Sequence, residues 1–124
     1  MAGLPPSARL RRAADFAALR NATGRWQGRH FALRWIASLQ ACPRLGMAVS
    51  RKVSKRAVMR NRIKRVIRET FRARYDRLPA LDILVIARSS AAASDNQALR
   101  EELDRAWRQL QALKQAAAPG TIGG

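Results

Sequence analysis

The chain has 124 residues, and 25 lysines and arginines stand against 8 acidic side chains, a formal net charge of +17. That length fits one domain with one core, and a hydrophobic fraction of 48% is sufficient to build it. The charge sets the chain apart from an ordinary soluble enzyme, because a compact body with this excess repels itself. A polyanionic partner is the simplest reason for it, since each phosphate bound releases condensed counterions. The isoelectric point, near 12.0, lies well past the value of about 9 at which a basic domain reads as nucleic-acid binding.

Cys42 is the only cysteine. It allows no intrachain disulfide and no multi-cysteine metal site, which fits a reducing cytoplasm. His30 is the only histidine, which removes most metal-ligand and His-based catalytic schemes. No apolar run approaches the roughly 18 residues of a membrane span. Met1–Ser7 lacks the basic-then-apolar order of a signal peptide.

The elements follow in order. Residues 1–7, with two prolines and a glycine, read as a flexible lead-in. Residues 8–20 read as a helix with Leu10, Ala14, Ala17 and Ala18 near one face and Phe16 to the side. Ser7 could cap it, and Asn21–Gly24 ends it with turn chemistry. A further short strand is allowed around Arg25–Gln27. His30–Leu39 alternates with period two, Phe31, Leu33, Trp35, Ala37 and Leu39 against His30, Ala32, Arg34, Ile36 and Ser38, the pattern of a strand. Leu45–Ser50 reads as a second strand, antiparallel to the first because the connection is short.

From Ser54 to about Tyr75 the period becomes 3.6. Met59, Ile63, Val66, Ile67 and Thr70 form an apolar stripe with Phe71 at its edge, and Pro79 lies just past the end. Leu81–Ala87 is a nearly continuous apolar run, an interior strand. Ser94 and Gln97 make a capping-box pattern before a last helix with Leu99, Leu103, Ala106, Trp107 and Leu110 on one side. Residues 115–124, rich in alanine and glycine, read as a disordered tail, leaving 8–114 as the domain. The order predicts an α+β or α/β sandwich, one small sheet with helices packed on it.

The stretch Arg51–Arg77 holds twelve Lys and Arg residues opposed by only Glu69 and Asp76. Asn61, Lys64, Arg65, Arg68 and Arg72 recur at helical spacing opposite the apolar stripe, so one face is pinned to the sheet while the other presents a row of cations. Like charges at that spacing destabilise an isolated helix by a few tenths of a kcal/mol per pair. A solvated basic face is the plain alternative, but Glu partners four residues away are nearly absent. Arginine in preference to lysine favours RNA, because guanidinium forks grip phosphate oxygens and stack on exposed bases.

The string Ala57-Val-Met-Arg-Asn-Arg-Ile-Lys-Arg65, continued by Val66-Ile-Arg-Glu-Thr-Phe-Arg72, resembles the RNR box of the bacterial ribonuclease P protein. Arg44–Val53 resembles that family's strand entering the box, Leu78–Arg88 the strand after it, and Leu10–Phe16 its first helix. The resemblance runs from about Arg9 to Leu110. It implies an αβββαβα fold with a central sheet and a left-handed βαβ crossover, where generic geometry favours a right-handed one. It implies two RNA surfaces. Arg60, Asn61, Arg62, Lys64, Arg65, Arg68 and Arg72, with Arg51 and Lys52 just before, would lie against a catalytic RNA. A cleft with Phe16, Ala32 and Arg34 would receive the single-stranded 5′ leader of precursor transfer RNA. Phe16 serves equally as a helix-to-sheet core residue. Where Arg34 stands the family pattern leads one to expect an aromatic or bulky side chain; an arginine can stack or contact phosphate. Phe31, Leu33, Trp35 and Trp107 read as core.

The implied role is assistance: the RNA cuts with Mg2+ that it holds itself, no catalytic residue or metal site is assigned to the protein, and Asn61 could meet an RNA-bound hydrated metal. One protein per RNA, a cytoplasmic setting and no membrane complete the expectation. A general RNA-binding module without enzymatic partner and a self-sufficient nuclease are the competing readings. The ordered box with both flanking strands weighs against the first. The absence of a carboxylate cluster or His pair in the sequence weighs against the second.

Overall fold

The structure, a computed structural model, describes residues 22–38 and 41–116 together with Leu10 and Leu19. The helix expected at 8–20, with Phe16, the lead-in and the tail beyond 116 lie outside the described residues, those two leucines apart. Four strands form one mixed sheet in the order β1-β2-β4-β3: β1 (Gly24–Gln27), β2 (Phe31–Ala37), β3 (Arg44–Ala48) and β4 (Leu81–Ala87). Helix α1 (Ala57–Ala73) connects β3 to β4 and helix α2 (Asn96–Ala116) follows β4, with short 3-10 turns at Tyr75–Arg77 and Ser89–Ala93. This is a small α+β domain.

β1 and β2 form a hairpin in which the Gly28 N–H donates to the Phe31 carbonyl at 2.8 Å. Gly28 is required there: a Cβ would run into the Glu102 carboxylate and the Trp26 ring. The apolar run of β4 occupies the middle of the sheet, antiparallel to β2 and parallel to β3. β3 runs antiparallel to β2, as the short link predicts, but the two are not hydrogen-bonded to each other, because β4 inserts between them. A strand as apolar as Leu81–Ala87 needs partners on both edges. The short β3 takes the edge position and reaches β4 through the α1 crossover, as parallel pairing demands.

One face of the sheet, through Phe31, Leu33, Ile83 and Val85, receives both helices. From α1 come Ile63, Val66, Ile67 and Phe71; from α2 come Leu99, Leu103, Trp107 and Leu110, all buried. Phe71 meets Trp107 edge-on with centroids 5.5 Å apart. Thr70, polar on an otherwise apolar stripe, donates its hydroxyl to the Val66 and Ile67 carbonyls and accepts the Trp107 indole N–H at 2.8 Å. That pairing removes the cost of burying either group unsatisfied.

The cap of α2 lies one residue later than the Ser94 expectation. The Asp95 carboxylate accepts the Ala98 N–H at 2.8 Å. Ser94 is committed elsewhere, donating to the Ser90 carbonyl and touching the His30 ring.

Candidate nucleic-acid interface

α1 divides its surface sharply. Ile63, Val66, Ile67, Thr70 and Phe71 are buried, while Asn61, Lys64, Arg65, Arg68 and Arg72 fall within an arc of about 100° on the far side at 3.6 residues per turn. Asn61, Arg65 and Arg72 are exposed, and Lys64 and Arg68 are half-buried along their stems. Among the described residues none of these five makes a side-chain hydrogen bond or ion pair. The nearby carboxylates are engaged at the helix flanks, Glu69 with Arg100 at 3.2 Å and Asp104 with Arg74 at 3.5 Å.

The start of α1 carries the same imbalance. Arg56 stands at the N-cap with no side-chain cap, and the first turn has no acidic residue. Arg51, Lys52 and Lys55 are exposed just upstream. Cations gathered at the positive end of a helix dipole are unfavourable until an anion joins them. Val58, 75% exposed, adds an apolar spot to this face.

Two members of the expected set do structural work. Arg60 donates to the Ser54 carbonyl at 2.9 Å, tying the entry loop to the helix. Arg62 sits about 100° round the helix from Asn61. It donates to Asn96 Oδ1 at 2.7 Å and to the Ala92 carbonyl at 3.3 Å, and rests on Met59 Sδ. It therefore ties α1 to the segment leading into α2. Arg62→Gln is expected to lower stability by about 1–2 kcal/mol and to leave the salt dependence of RNA affinity unchanged. Thermal melts and a binding series in salt check both halves, and a flattened salt slope would return Arg62 to the contact row.

The second surface is the sheet face turned away from α1 and α2. Ala32 and Arg34 lie there as expected, in a depression of roughly 250 Å³ that Arg25, Gln27, Ile86 and Arg88 also line. Phe16 lies outside the described residues. Arg25 and Arg88 are additions that the sequence alone does not assign. The only signal for Arg25 is its place in the faint strand before β2; its register opposite Arg34 belongs to the hairpin.

A few other ionisable groups are tied into the fold. Glu102, 1% exposed, accepts the backbone N–H groups of His30 and Phe31 at 2.8–3.0 Å. The His30 ring lies between Ser90 Oγ at 2.8 Å and Ser94 Oγ at 3.1 Å. Asp82 is held by Arg44 through two bonds of 2.7 Å. The Tyr75 phenol is pushed above its ordinary range by burial, then by its hydrogen bond with Cys42 and the charge of Asp76. Among the described residues no three His, Cys, Asp or Glu side chains gather as a metal site, and no helix is long and apolar enough to cross a membrane.

A mixed four-stranded sheet with one βαβ unit, whose helix turns outward a row of cations unpaired among the described residues, defines a small basic α+β protein with its charged surface separated from its core. The family model for ribonuclease P matches residues 4–111, and the chain belongs to the bacterial ribonuclease P protein family. It is 43% identical over 118 residues to the ribonuclease P protein component of Xanthomonas campestris, covering 95% of this chain and 79% of that one. It is 56% identical over 68 residues to that of Idiomarina loihiensis, where the match spans 55% of this chain and 54% of the relative. In structure it resembles the ribonuclease P protein of Staphylococcus aureus, with a TM-score of 0.74, 32% identity and coverage of 89% and 95%. It also resembles that of Thermotoga maritima, with a TM-score of 0.72, 30% identity and coverage of 82% and 96%.

Proposed function

We propose that this chain is the RNA-binding, non-catalytic subunit of a ribonuclease P that removes the 5′ leader of precursor transfer RNA. The observation that carries this is the row Asn61, Lys64, Arg65, Arg68 and Arg72. It is fixed in direction by the buried stripe behind it and lacks carboxylate partners among the described residues. Such a row lowers the repulsion between two polyanions by replacing counterions with fixed guanidinium groups. The α1 face, with Arg51 and Lys52, lies against the catalytic RNA, one protein per RNA, in the cytoplasm. Asn61, exposed on that face, is free to turn its amide oxygen toward an RNA-bound hydrated metal. The groove through Ala32 and Arg34 receives the leader.

The Mg2+ ions of the reaction belong to the RNA in this scheme. On the protein, Asp82, Glu69, Asp104 and Glu102 are already engaged by Arg44, Arg100, Arg74 and backbone N–H groups. The chain's own work is to bind, orient and screen. The test is a processing assay with the matched catalytic RNA. Adding the protein should lower the Mg2+ and salt needed to cut precursor transfer RNA, and RNA-free protein should not cut. Processing that is indifferent to the protein, or cleavage by protein alone, would overturn the proposal.

A further inference from the structure

The outward face of α1 carries a large apolar side chain among its cations. Val58 is 75% exposed. At 3.6 residues per turn it lies about 20° round the helix from Arg65, about 40° from Arg72 and about 60° from Asn61. It extends their row toward the N-terminus, about 4.5 Å along the axis before Asn61. The segment Arg51–Arg68 contains no acidic residue. Isolated apolar residues are common on protein surfaces, but two features single out Val58. First, the long side chain that would cover it is drawn away. Residues three and four further along a helix are its neighbours, and long stems there shield apolar surface. Arg62 instead turns to Asn96 Oδ1 at 2.7 Å and the Ala92 carbonyl at 3.3 Å, and Asn61 is short. Second, the helix gains nothing from it. Val58 is the second residue of α1, where a β-branched side chain is a poorer helix former than alanine. An uncovered methyl surface is thus kept, at a small cost to the helix, within the row of cations.

We infer that Val58 is a further contact to the catalytic RNA, and that it rests on the ribose of a nucleotide whose phosphates the neighbouring cations hold. This rests on the proposed seating of α1 against that RNA. Beside each phosphate a polynucleotide offers one small apolar surface, the C–H edge of the sugar. The sugars line the wide, shallow minor groove of an A-form helix and are accessible there. A flat base calls for a flat partner, an aromatic ring or a guanidinium plane, whereas the two methyl groups of valine fit the curved edge of a sugar. The two kinds of side chain then contribute differently. The cations supply affinity that falls as salt rises. Burial of methyl groups displaces water and not counterions, so its contribution does not fall with salt.

The experiment uses the full chain and its matched catalytic RNA, with affinity measured across a salt series. Val58→Ala should weaken binding about four- to fifteenfold, the effect of one to two buried methylene groups. The slope of log affinity against log salt should stay as it is. Val58→Ile should bind like the unaltered chain. Circular dichroism confirms that the variants are folded, and alanine, the better helix former, should not loosen α1. Two chemical probes then identify the occupant, since hydroxyl radicals attack the sugar and dimethyl sulfate attacks bases. Bound Val58→Ala should leave a short patch of the RNA newly open to hydroxyl radicals, with base reactivity unchanged. New base reactivity in its place would mean that Val58 meets a base, and the sugar contact fails. A flattened salt slope would mean that the substitution acts through the cations, and the inference fails likewise. If Val58→Ala binds fully while joint replacement of Arg65, Arg68 and Arg72 by alanine abolishes binding, α1 sits on the RNA without help from Val58, and the inference fails alone. Full binding by both would remove the proposed seating as well.

Discussion

Replacing Arg65, Arg68 and Arg72 together by alanine should weaken binding to the catalytic RNA by roughly 10²-fold near physiological salt. The same variant should flatten the plot of log affinity against log salt by about 2–2.7, since each phosphate left without its cation removes about 0.7–0.9 from the slope. Stability should not fall with it. The three residues occupy the far side of α1 from the buried stripe and bond to no described residue, and alanine is the better helix former beside removed like charges. A small gain in melting temperature is expected. Salt-dependent binding and thermal melts on the same preparations separate the two effects. A variant that binds normally would mean that α1 presents its cations to solvent alone, and the proposed function would lose its foundation.

How much of this is visible in the chain depends on whether a signal repeats locally. α1 is legible from both sides, since Ile63, Val66, Ile67 and Thr70 recur with one phase and Asn61, Lys64, Arg65, Arg68 and Arg72 with the opposite one. β2 is legible from the alternation of Phe31, Leu33 and Arg34, and β4 from its apolar run. Sheet order is not. The short link between β2 and β3 looks like a hairpin, and only the need of β4 for two partners reveals the insertion. The groove is half legible. Ala32 and Arg34 alternate outward within one strand, but Arg25 and Arg88 reach them through hairpin register and through pairing with a strand some 50 residues away. The structural bonds of Arg62 are not legible for a local reason: adjacent residues on a helix point about 100° apart, so the run Arg60-Asn61-Arg62 spreads over most of the circumference. Glu102 does leave a trace. It lies three residues after Leu99 and four before Ala106, on the apolar stripe of α2, where an acid has no place unless something inside receives it.

What receives Glu102 is the turn that opens β2, and removing it should be the most destabilising single change outside the hydrophobic core. Glu102→Ala strands the N–H groups of His30 and Phe31, both of which point at the carboxylate. A buried donor left without a partner costs about 1–3 kcal/mol. Together with the weakened packing of α2 on this turn, the total is about 3–5 kcal/mol, or roughly 10–20 °C in Tm for a domain of this size. Glu102→Gln can place its amide oxygen where Oε2 now accepts both donors, so it should lose only about 1 kcal/mol, the charge assistance of the bonds. Calorimetry on the two variants tests the order: equal losses would mean that the cavity, not the hydrogen bonds, sets the cost. The functional consequence follows from the hairpin. The Gly28–Phe31 turn fixes the β1–β2 register that sets Arg25 against Arg34, whereas the α1 face is held by a different set of contacts. Below its melting point Glu102→Ala should therefore lose leader-dependent affinity while keeping its grip on the catalytic RNA. Loss of both in equal measure would show that the two surfaces are not mechanically separate.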